Sequence, residues 1–156
     1  MRNTNWKDIA ELIGIAAIVA SLVAVVVELR QTKSALIAST YQARAFDAVA
    51  TNLSIAENER LLDLITTTDR GRNSAAVNAL TDSERRLLRL FLVARMADLD
   101  NEHYQFEAGL LDEEFLRTNT RRMIASYAPG WRAIGVRENR ASFRALVDDV
   151  LDEKSD

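Results

Sequence analysis

The densest group of side chains that could do chemistry is the segment Asp98–Glu107, which reads DLDNEHYQFE. On a helix, Asp100 and His103 have the three-residue spacing of the carboxylate–histidine pairs that bind metals in helical bundles. Asp98 and Glu102 are four residues apart and share a helix face. The sequence therefore predicts a polar site formed by Asp98, Asp100, Glu102 and His103. The chemistry of such a site would be that of a metal-dependent enzyme or of a sensor.

A simpler interpretation of this segment is a solvated acidic helix face, on which Arg95 pairs with Asp98 or with Glu102. A dinuclear site of the bundle type needs two such helices and normally two histidines, whereas this chain has one histidine. The absence of cysteine excludes thiol nucleophiles, thiolate zinc sites and iron–sulfur clusters. No glycine-rich phosphate-binding motif is present. We therefore expect no catalytic residue, no cofactor and no bound metal, and the sequence does not favour an enzyme.

The composition limits the class of protein. The chain has 156 residues, of which 48% are hydrophobic and 28% charged, with one proline and five glycines. These values exclude a disordered, collagen-like or low-complexity chain. The net charge is -3 and the pI is about 5.3, so no basic field indicates a nucleic-acid partner.

The hydrophobic residues are concentrated in one segment, Leu12–Val27, which reads LIGIAAIVASLVAVVV and carries no charge. A helix over the wider range Ile9–Leu29 has about 21 residues and spans ~31 Å, which matches the hydrocarbon core of a bilayer. Glu11 and Glu28 would lie near the two interfaces, where a carboxylate can reach water. Trp6 precedes the segment, as expected of an aromatic residue at the membrane surface. The pattern predicts a single membrane span, and thus a lipid bilayer as a partner.

Three other interpretations fit this segment less well. A buried helix of a soluble protein would need a shell that a short chain can hardly supply around a helix apolar on every face. A cleaved signal peptide would have a shorter apolar region and a small-residue cleavage site. An amphipathic surface helix would need a polar face. The predicted organisation is therefore a transmembrane segment over residues 1–30, a helical stalk over 31–53 and a soluble helical domain over 54–156.

The orientation of the predicted span rests on nearly balanced charges. Arg2 and Lys7 precede it, and Arg30, Lys33 and Arg44 follow it. The positive-inside rule thus discriminates little. We expect a cytoplasmic C-terminal domain.

The helix is expected to continue beyond the membrane, from Asn5 to about Ala50, because this stretch contains no proline and a single glycine. Thr4 or Asn5 is the expected N-cap. Along the helix, small residues recur at alternating spacings of four and three, which is typical of a tight contact between membrane helices. An alanine-rich span can also meet this pattern by chance. The predicted helix-packing stripe consists of Ala10, Gly14, Ala17, Ser21, Ala24 and Glu28, and its expected partner is a second copy or another membrane protein.

The rest of the chain is predicted to be a small helical bundle, since no stretch alternates with period two. Ser54–Glu57 and Thr81–Glu84 have capping-box spacing. The first box predicts a helix from Ile55 to about Thr67, followed by a loop over Asp69–Ser74. The second predicts a helix from Asp82 to Ala108 that ends at Gly109. The expected core residues are Leu87, Leu88, Phe91, Leu92, Leu99, Phe106, Leu110, Phe115, Met123, Trp131, Phe143 and Leu146.

Three further helices are expected after Gly109. The first begins at the acidic segment Asp112–Glu114 and ends before Pro129. A short helix over Trp131–Arg137 follows. Ser142 or Asn139 is expected to cap a last helix that runs through Leu151.

Three segments, GIAAIVASLVAVVVELRQTKSALIASTYQ, DNEHYQFEAGLLDEEF and APGWRAIG, resemble a group of uncharacterised bacterial single-span membrane proteins. These proteins have an N-terminal span, a basic segment after it and a helical C-terminal half. The resemblance implies a bacterial cytoplasmic membrane protein with a cytoplasmic C-terminal domain, and it implies no catalytic residue. The chain differs from the group at Glu28, where a neutral residue is usual. The expected function is that of a membrane-anchored interaction or scaffold protein, or an accessory subunit of a membrane complex.

Overall fold

The computed structural model describes residues 6–153, and over this range the chain is all-α with no strand, as predicted. A long N-terminal helix is followed by a small helical region. The helices are α1 Trp6–Glu57, α2 Glu59–Thr67, α3 Ser74–Ala79, α4 Asp82–Glu107, α5 Glu113–Phe115, α6 Arg121–Ala133 and α7 Ala141–Glu153, with a π-helical segment Leu116–Thr120 between α5 and α6.

Helix α1 confirms the predicted long helix and extends it to Glu57. The predicted cap at Thr4 or Asn5 lies outside the described residues. The capping box predicted at Ser54 is wrong, because Ser54 lies inside α1. Helix α2 begins instead after Asn58, whose side chain accepts a hydrogen bond from the Leu61 backbone N–H at 3.0 Å. The N-cap of this helix is therefore Asn58, at the end of α1, and not the predicted Ser54.

The chain divides into two compact units, residues 1–40 and 41–156. In the first unit, every described residue from Trp6 to Leu36 is exposed. The last part of the predicted stalk, from Tyr41 onward, belongs to the second unit together with the predicted soluble domain.

The core of the second unit forms around α4, against which α2, α6 and α7 pack. Six of the twelve predicted core residues are buried, and the other six are partly buried because they lie at its edge. The core also contains Val77 from α3, a helix that the sequence pattern did not indicate. The buried predicted residues are Leu88, Phe91, Leu92, Leu99, Trp131 and Phe143.

The boundaries of α4 are those that the sequence predicts. Thr81 accepts from the Glu84 backbone N–H, and the Glu84 carboxylate accepts from the Thr81 backbone N–H, which completes the capping box. At the other end, Gly109 has a φ of 70°, the left-handed conformation that stops a helix at low cost. This long helix supplies all four residues of the predicted polar site.

The segment after α4 differs from the prediction at Pro129. A helix begins at the acidic segment Asp112–Glu114, as expected, and Asp112 is its N-cap, with its carboxylate accepting from the Phe115 backbone N–H at 2.7 Å. The helix predicted to end before Pro129 continues through it to Ala133, and the separate helix predicted over Trp131–Arg137 does not form. Proline removes one helical hydrogen bond, whereas continuing the helix buries Trp131 completely in the core.

Gly130 allows this continuation because α6 passes very close to the loop before α3. A Cβ atom on Gly130 would lie 2.0 Å from the Arg70 carbonyl oxygen and 3.5 Å from the Gly71 Cα. No residue with a side chain fits there without moving the backbone. The last helix, α7, begins at Ala141, so Ser142 lies in its first turn and neither Ser142 nor Asn139 immediately precedes it.

Candidate functional site

Helix α4 separates the four residues of the predicted polar site into two groups. Asp98 and Glu102 contact Arg44 in the part of α1 that belongs to the second unit. Asp100 contacts Arg140, and His103 lies near Glu107. Asp98 and Glu102 therefore lie at one site, as their four-residue spacing predicts. The four residues together do not form a single site.

The first group surrounds the guanidinium of Arg44, a side chain that is only 8% exposed. Its Nη1 is 2.5 Å from Asp98 Oδ1, and its Nε donates to Gln105 Oε1 at 2.9 Å. Arg95 Nη1 donates to the other oxygen of Asp98 at 3.0 Å, which confirms one of the two pairs expected for a structural acidic face. Asp98 thus pairs with two arginines. We call Arg44, Arg95, Asp98 and Glu102 together the Arg44 cluster.

Glu102 is the most buried carboxylate of the Arg44 cluster, at 6% exposure. Its Oε2 accepts a hydrogen bond from the Thr120 hydroxyl at 2.8 Å, and its Oε1 is 3.9 Å from Arg44 Nη1. Burial raises the pKa of the Glu102 carboxyl, and the negative charge of Asp98 adds to this rise, while the Thr120 hydrogen bond and Arg44 lower it. The buried carboxyl therefore holds a proton more readily than an exposed glutamate does.

Thr120 reaches Glu102 from the π-helical segment Leu116–Thr120, where the Arg121 backbone N–H bonds to the Leu116 carbonyl. A π turn adds a residue to the helical turn and is often found at functional sites. Here it joins α5 to α6 and leaves Thr120 fully buried.

The second group surrounds Arg140. Its Nε donates to Asp100 Oδ1 at 2.8 Å and its Nη1 donates to Glu107 Oε2 at 3.0 Å. The His103 Nε2 is 3.5 Å from Glu107 Oε1, and the centroid of its ring is 6.4 Å from that of Phe106 and 6.1 Å from that of Phe143. Burial lowers the pKa of His103, so the neutral imidazole is favoured.

The arrangement differs from that of a metal site. Asp100 and His103, the spacing pair that suggests a metal, contact Arg140 and Glu107 rather than a shared point. Within residues 6–153, no group of three or more histidine, aspartate or glutamate side chains could hold a metal ion. The carboxylates of both groups are charge-paired with arginines, so their chemistry is that of ion pairing and proton binding.

The predicted helix-packing stripe lies on α1, and all of its residues are exposed. The Ser21 hydroxyl donates to the Ala17 carbonyl oxygen at 2.9 Å, which satisfies this polar group within the helix. A Cβ atom on Gly14 would meet no atom within 4 Å. The stripe is thus a continuous helix surface, and its pairing remains a prediction.

Sequence reasoning missed the roles of Arg44, Thr120 and Arg140, because each contacts residues distant in the chain. A signal for Arg44 is present in the pattern of α1 after residue 40. There, Phe46, Val49 and Leu53 share one face, whereas Tyr41 and Arg44 lie on the other side with Thr51 and Ile55. Phe46, Val49 and Leu53 are exposed, whereas the face that carries Tyr41 and Arg44 packs inward. Tyr41 donates to Asp112 Oδ2 at 2.7 Å and stacks edge-on against Phe115.

Comparison with family models, with curated proteins and with solved structures gave no match for this chain.

Proposed function

We propose that this chain is a membrane-anchored interaction or scaffold protein, or an accessory subunit of a larger membrane complex. The supporting observation is α1: one helix, Trp6–Glu57, is long and apolar enough to cross a membrane. None of the residues in its most apolar window is buried, which distinguishes it from the core helix of a soluble protein. Exposed apolar side chains on this scale are stable in lipid and costly in water.

The proposed location is the cytoplasmic membrane of a bacterium, with a single span and a cytoplasmic C-terminal domain. The test is fractionation of expressing cells, followed by an alkaline carbonate wash and measurement of the intact mass. An anchored protein stays in the membrane through the wash and retains its N-terminus. Recovery of a shortened chain in the soluble fraction would show that the segment is a cleaved signal sequence.

The proposed interaction is pairing of α1 through its stripe, with a second copy or with a partner membrane protein. Small residues let two helix backbones approach closely in lipid, so large side chains there should separate them. Replacing Gly14, Ala17 and Ser21 by leucine is expected to lower the fraction of cross-linked dimer in detergent at least several-fold. The matched control replaces Ala16, Val19 and Val23 by leucine on the opposite face. Equal association of both variants would remove the stripe from the proposal.

A second observation supports an interaction role for the other unit. Phe46, Val49 and Leu53 are spaced three and four residues apart on α1, and each is more than half exposed. A row of large apolar residues on one exposed helix face is typical of helix-mediated association.

The alternative function is a membrane-tethered sensor or metal-dependent enzyme that uses Asp98–Glu107. The sensor form is favoured over the enzyme because the buried Arg44 and Glu102 form a charged cluster with the partly exposed Asp98 beside a cavity. Metal analysis of the purified protein separates the two forms. Stoichiometric metal that is lost when Asp100 and His103 are both replaced by alanine would establish the metal-dependent form.

A further inference from the structure

The part of α1 after residue 40 buries a polar face and exposes an apolar one. Arg44 is buried, and its side chain contacts Asp98 on α4. Phe46, Val49 and Leu53, which we call the apolar row, follow Arg44 by two, five and nine residues, close to odd numbers of helical half-turns. The apolar row therefore points away from the core of the second unit, and each of its residues is more than half exposed. A surface helix normally has the opposite arrangement, so this face is expected to be covered.

The charged residues along this part of the chain lie on the other side of the helix. Between Glu28 and Glu57, the sequence of α1 contains four of them: Arg30, Lys33, Arg44 and Asp47. The other three are 14, 11 and three residues from Arg44, which is close to a whole number of turns in each case. The face of the apolar row is thus free of charge over about four heptads, and three to four heptads are typical of a coiled coil.

Lipid does not reach the apolar row if α1 spans a bilayer as proposed. Phe46 follows Leu29, the end of the proposed span, by 17 residues. In a helix, this separation corresponds to ~26 Å along the axis. The headgroup region on each side of a bilayer is only roughly 5–8 Å thick. The cover of the apolar row is therefore protein.

The apolar row suits contact with a second copy of this chain. Two copies anchored in the same orientation run parallel, so a two-fold axis places each residue of the row against its own copy. Like charges facing each other would disfavour such a pair, and this face carries no charge between Glu28 and Glu57. Ala17 and Ala24 of the predicted stripe precede Arg44 by 27 and 20 residues, again close to odd numbers of half-turns. By the helical period, the apolar row thus continues the face of the stripe.

We propose that the apolar row packs against the same row of a second copy, in a parallel and in-register pair of α1 helices. The rest of the second unit contacts α1 from the other side, through Tyr41 and Arg44, and leaves the row open. This inference rests on the proposed function of a membrane-anchored interaction protein. It names a second copy as the partner, and it places a contact outside the membrane.

Single cysteines in the full chain test this contact, since the natural chain has none. The protein is purified in mild detergent and oxidised, and the mass of the product is measured. Val49→Cys and Leu53→Cys are expected to form a disulfide-linked species of twice the chain mass. Asp47→Cys, at an exposed position on the other side of the helix, is the matched control and should form several-fold less. A Leu53→Cys protein that forms no dimer, or that links only to another protein, would overturn the proposal.

A charge on the apolar row tests its contribution to association. Val49→Glu would place two carboxylates opposite each other in a symmetric pair, and it should lower the dimer fraction measured by light scattering several-fold. Leu90→Glu makes a similar change at an exposed position of α4 and should leave the dimer fraction unchanged. Circular dichroism should show both variants folded, because both side chains are exposed.

The leucine variant of the stripe separates this proposal from the pairing proposed for the membrane span. Loss of the dimer in Val49→Glu, in which the stripe is intact, supports the apolar row. A dimer that persists unchanged in Val49→Glu and is lost only in the stripe variant would overturn the apolar row as an interface and leave the stripe in place. Membrane anchoring itself is tested separately, by the carbonate wash.

Discussion

Two groups of apolar side chains in this chain have opposite environments. In α1, the segment Leu12–Val27 has only exposed residues. In the second unit, Leu92, Trp131 and Phe143 are fully buried. The residue types are similar, so hydrophobicity alone does not distinguish the two groups. The second group has a shell of helices to bury it. The first is apolar on every face and has no such shell, which is the reason why we propose that it lies in lipid.

The two tryptophans provide the largest expected contrast. Trp131→Ala removes a fully buried ring and should lower the free energy of unfolding of the second unit by about 3–5 kcal/mol. Trp6→Ala changes a residue that is 77% exposed on α1 and should leave that free energy unchanged. Urea unfolding in detergent, followed by circular dichroism, measures both. Equal effects of the two changes would contradict the contrast between the regions.

Two arginines on α1 extend the comparison to charged residues. Arg44→Ala removes the nearest cation from the buried Glu102 and leaves Asp98 with Arg95 alone. It should lower the free energy of unfolding by about 2–3 kcal/mol, given that Asp98 is partly exposed. Arg30→Ala removes an exposed charge without a partner within residues 6–153 and should have no measurable effect. The same urea titration compares them. A stable Arg44→Ala protein would mean that the Arg44 cluster does not hold α1 in the second unit.

Two glycines test the packing directly. Gly130→Ala places a Cβ atom 2.0 Å from the Arg70 carbonyl oxygen and should destabilise the second unit by about 2 kcal/mol. Gly14→Ala meets open space in a helix and should leave the unfolding of that unit unchanged. The midpoints of chemical unfolding measure the difference. A Gly130→Ala protein as stable as the natural chain would show that the loop at Arg70 yields easily.

The smallest expected effect is a pH dependence. The pKa of Glu102 is raised above its ordinary value of 4.5, so its contribution to stability is complete below 4.5 and is lost as pH rises through the folded-state pKa. Glu102→Gln cannot ionise, and the stability of this variant relative to the natural chain should therefore grow with pH over that window, by at most about 1.4 kcal/mol per pH unit. His103 acts in the opposite sense. Its pKa is lowered from 6.5, so its contribution is lost as pH falls through the folded-state pKa.

These stability curves are measured by urea unfolding at several pH values. A difference between Glu102→Gln and the natural chain that stays constant with pH would contradict the buried environment of this carboxyl. Asp63→Asn is a matched control for the replacement of a carboxylate by an amide, because Asp63 is exposed on α2.

Local signals in the sequence predicted much of the fold. The apolar run, the Thr81 capping box and Gly109 correctly defined α1 and α4, since each depends on neighbouring residues only. Pro129 misled the prediction because burial of Trp131 outweighs one lost hydrogen bond. Whether a helix continues through a proline depends on contacts between residues distant in the chain, and the local sequence pattern carries little information on such contacts.

The candidate site could likewise be predicted only where it depends on residues close together in the sequence. The spacing of Asp98 and Glu102 correctly indicated a shared face of α4. The sequence did not indicate that Arg44 would fill that face, nor that Thr120 would reach Glu102 from a π turn. Arg44 and Asp98 are 54 positions apart, and only the folded chain brings them together.

The most direct test of the central claim uses the absence of cysteine, which makes any introduced cysteine a unique probe. Val19→Cys lies in the proposed span and Ser54→Cys lies in the second unit, and both positions are exposed on the same helix α1. The measurement is the rate of labelling by a membrane-impermeant maleimide in inside-out membrane vesicles. The account predicts rapid labelling of Ser54→Cys and no labelling of Val19→Cys until detergent and denaturant are added. Equal labelling of the two cysteines in intact vesicles would contradict it.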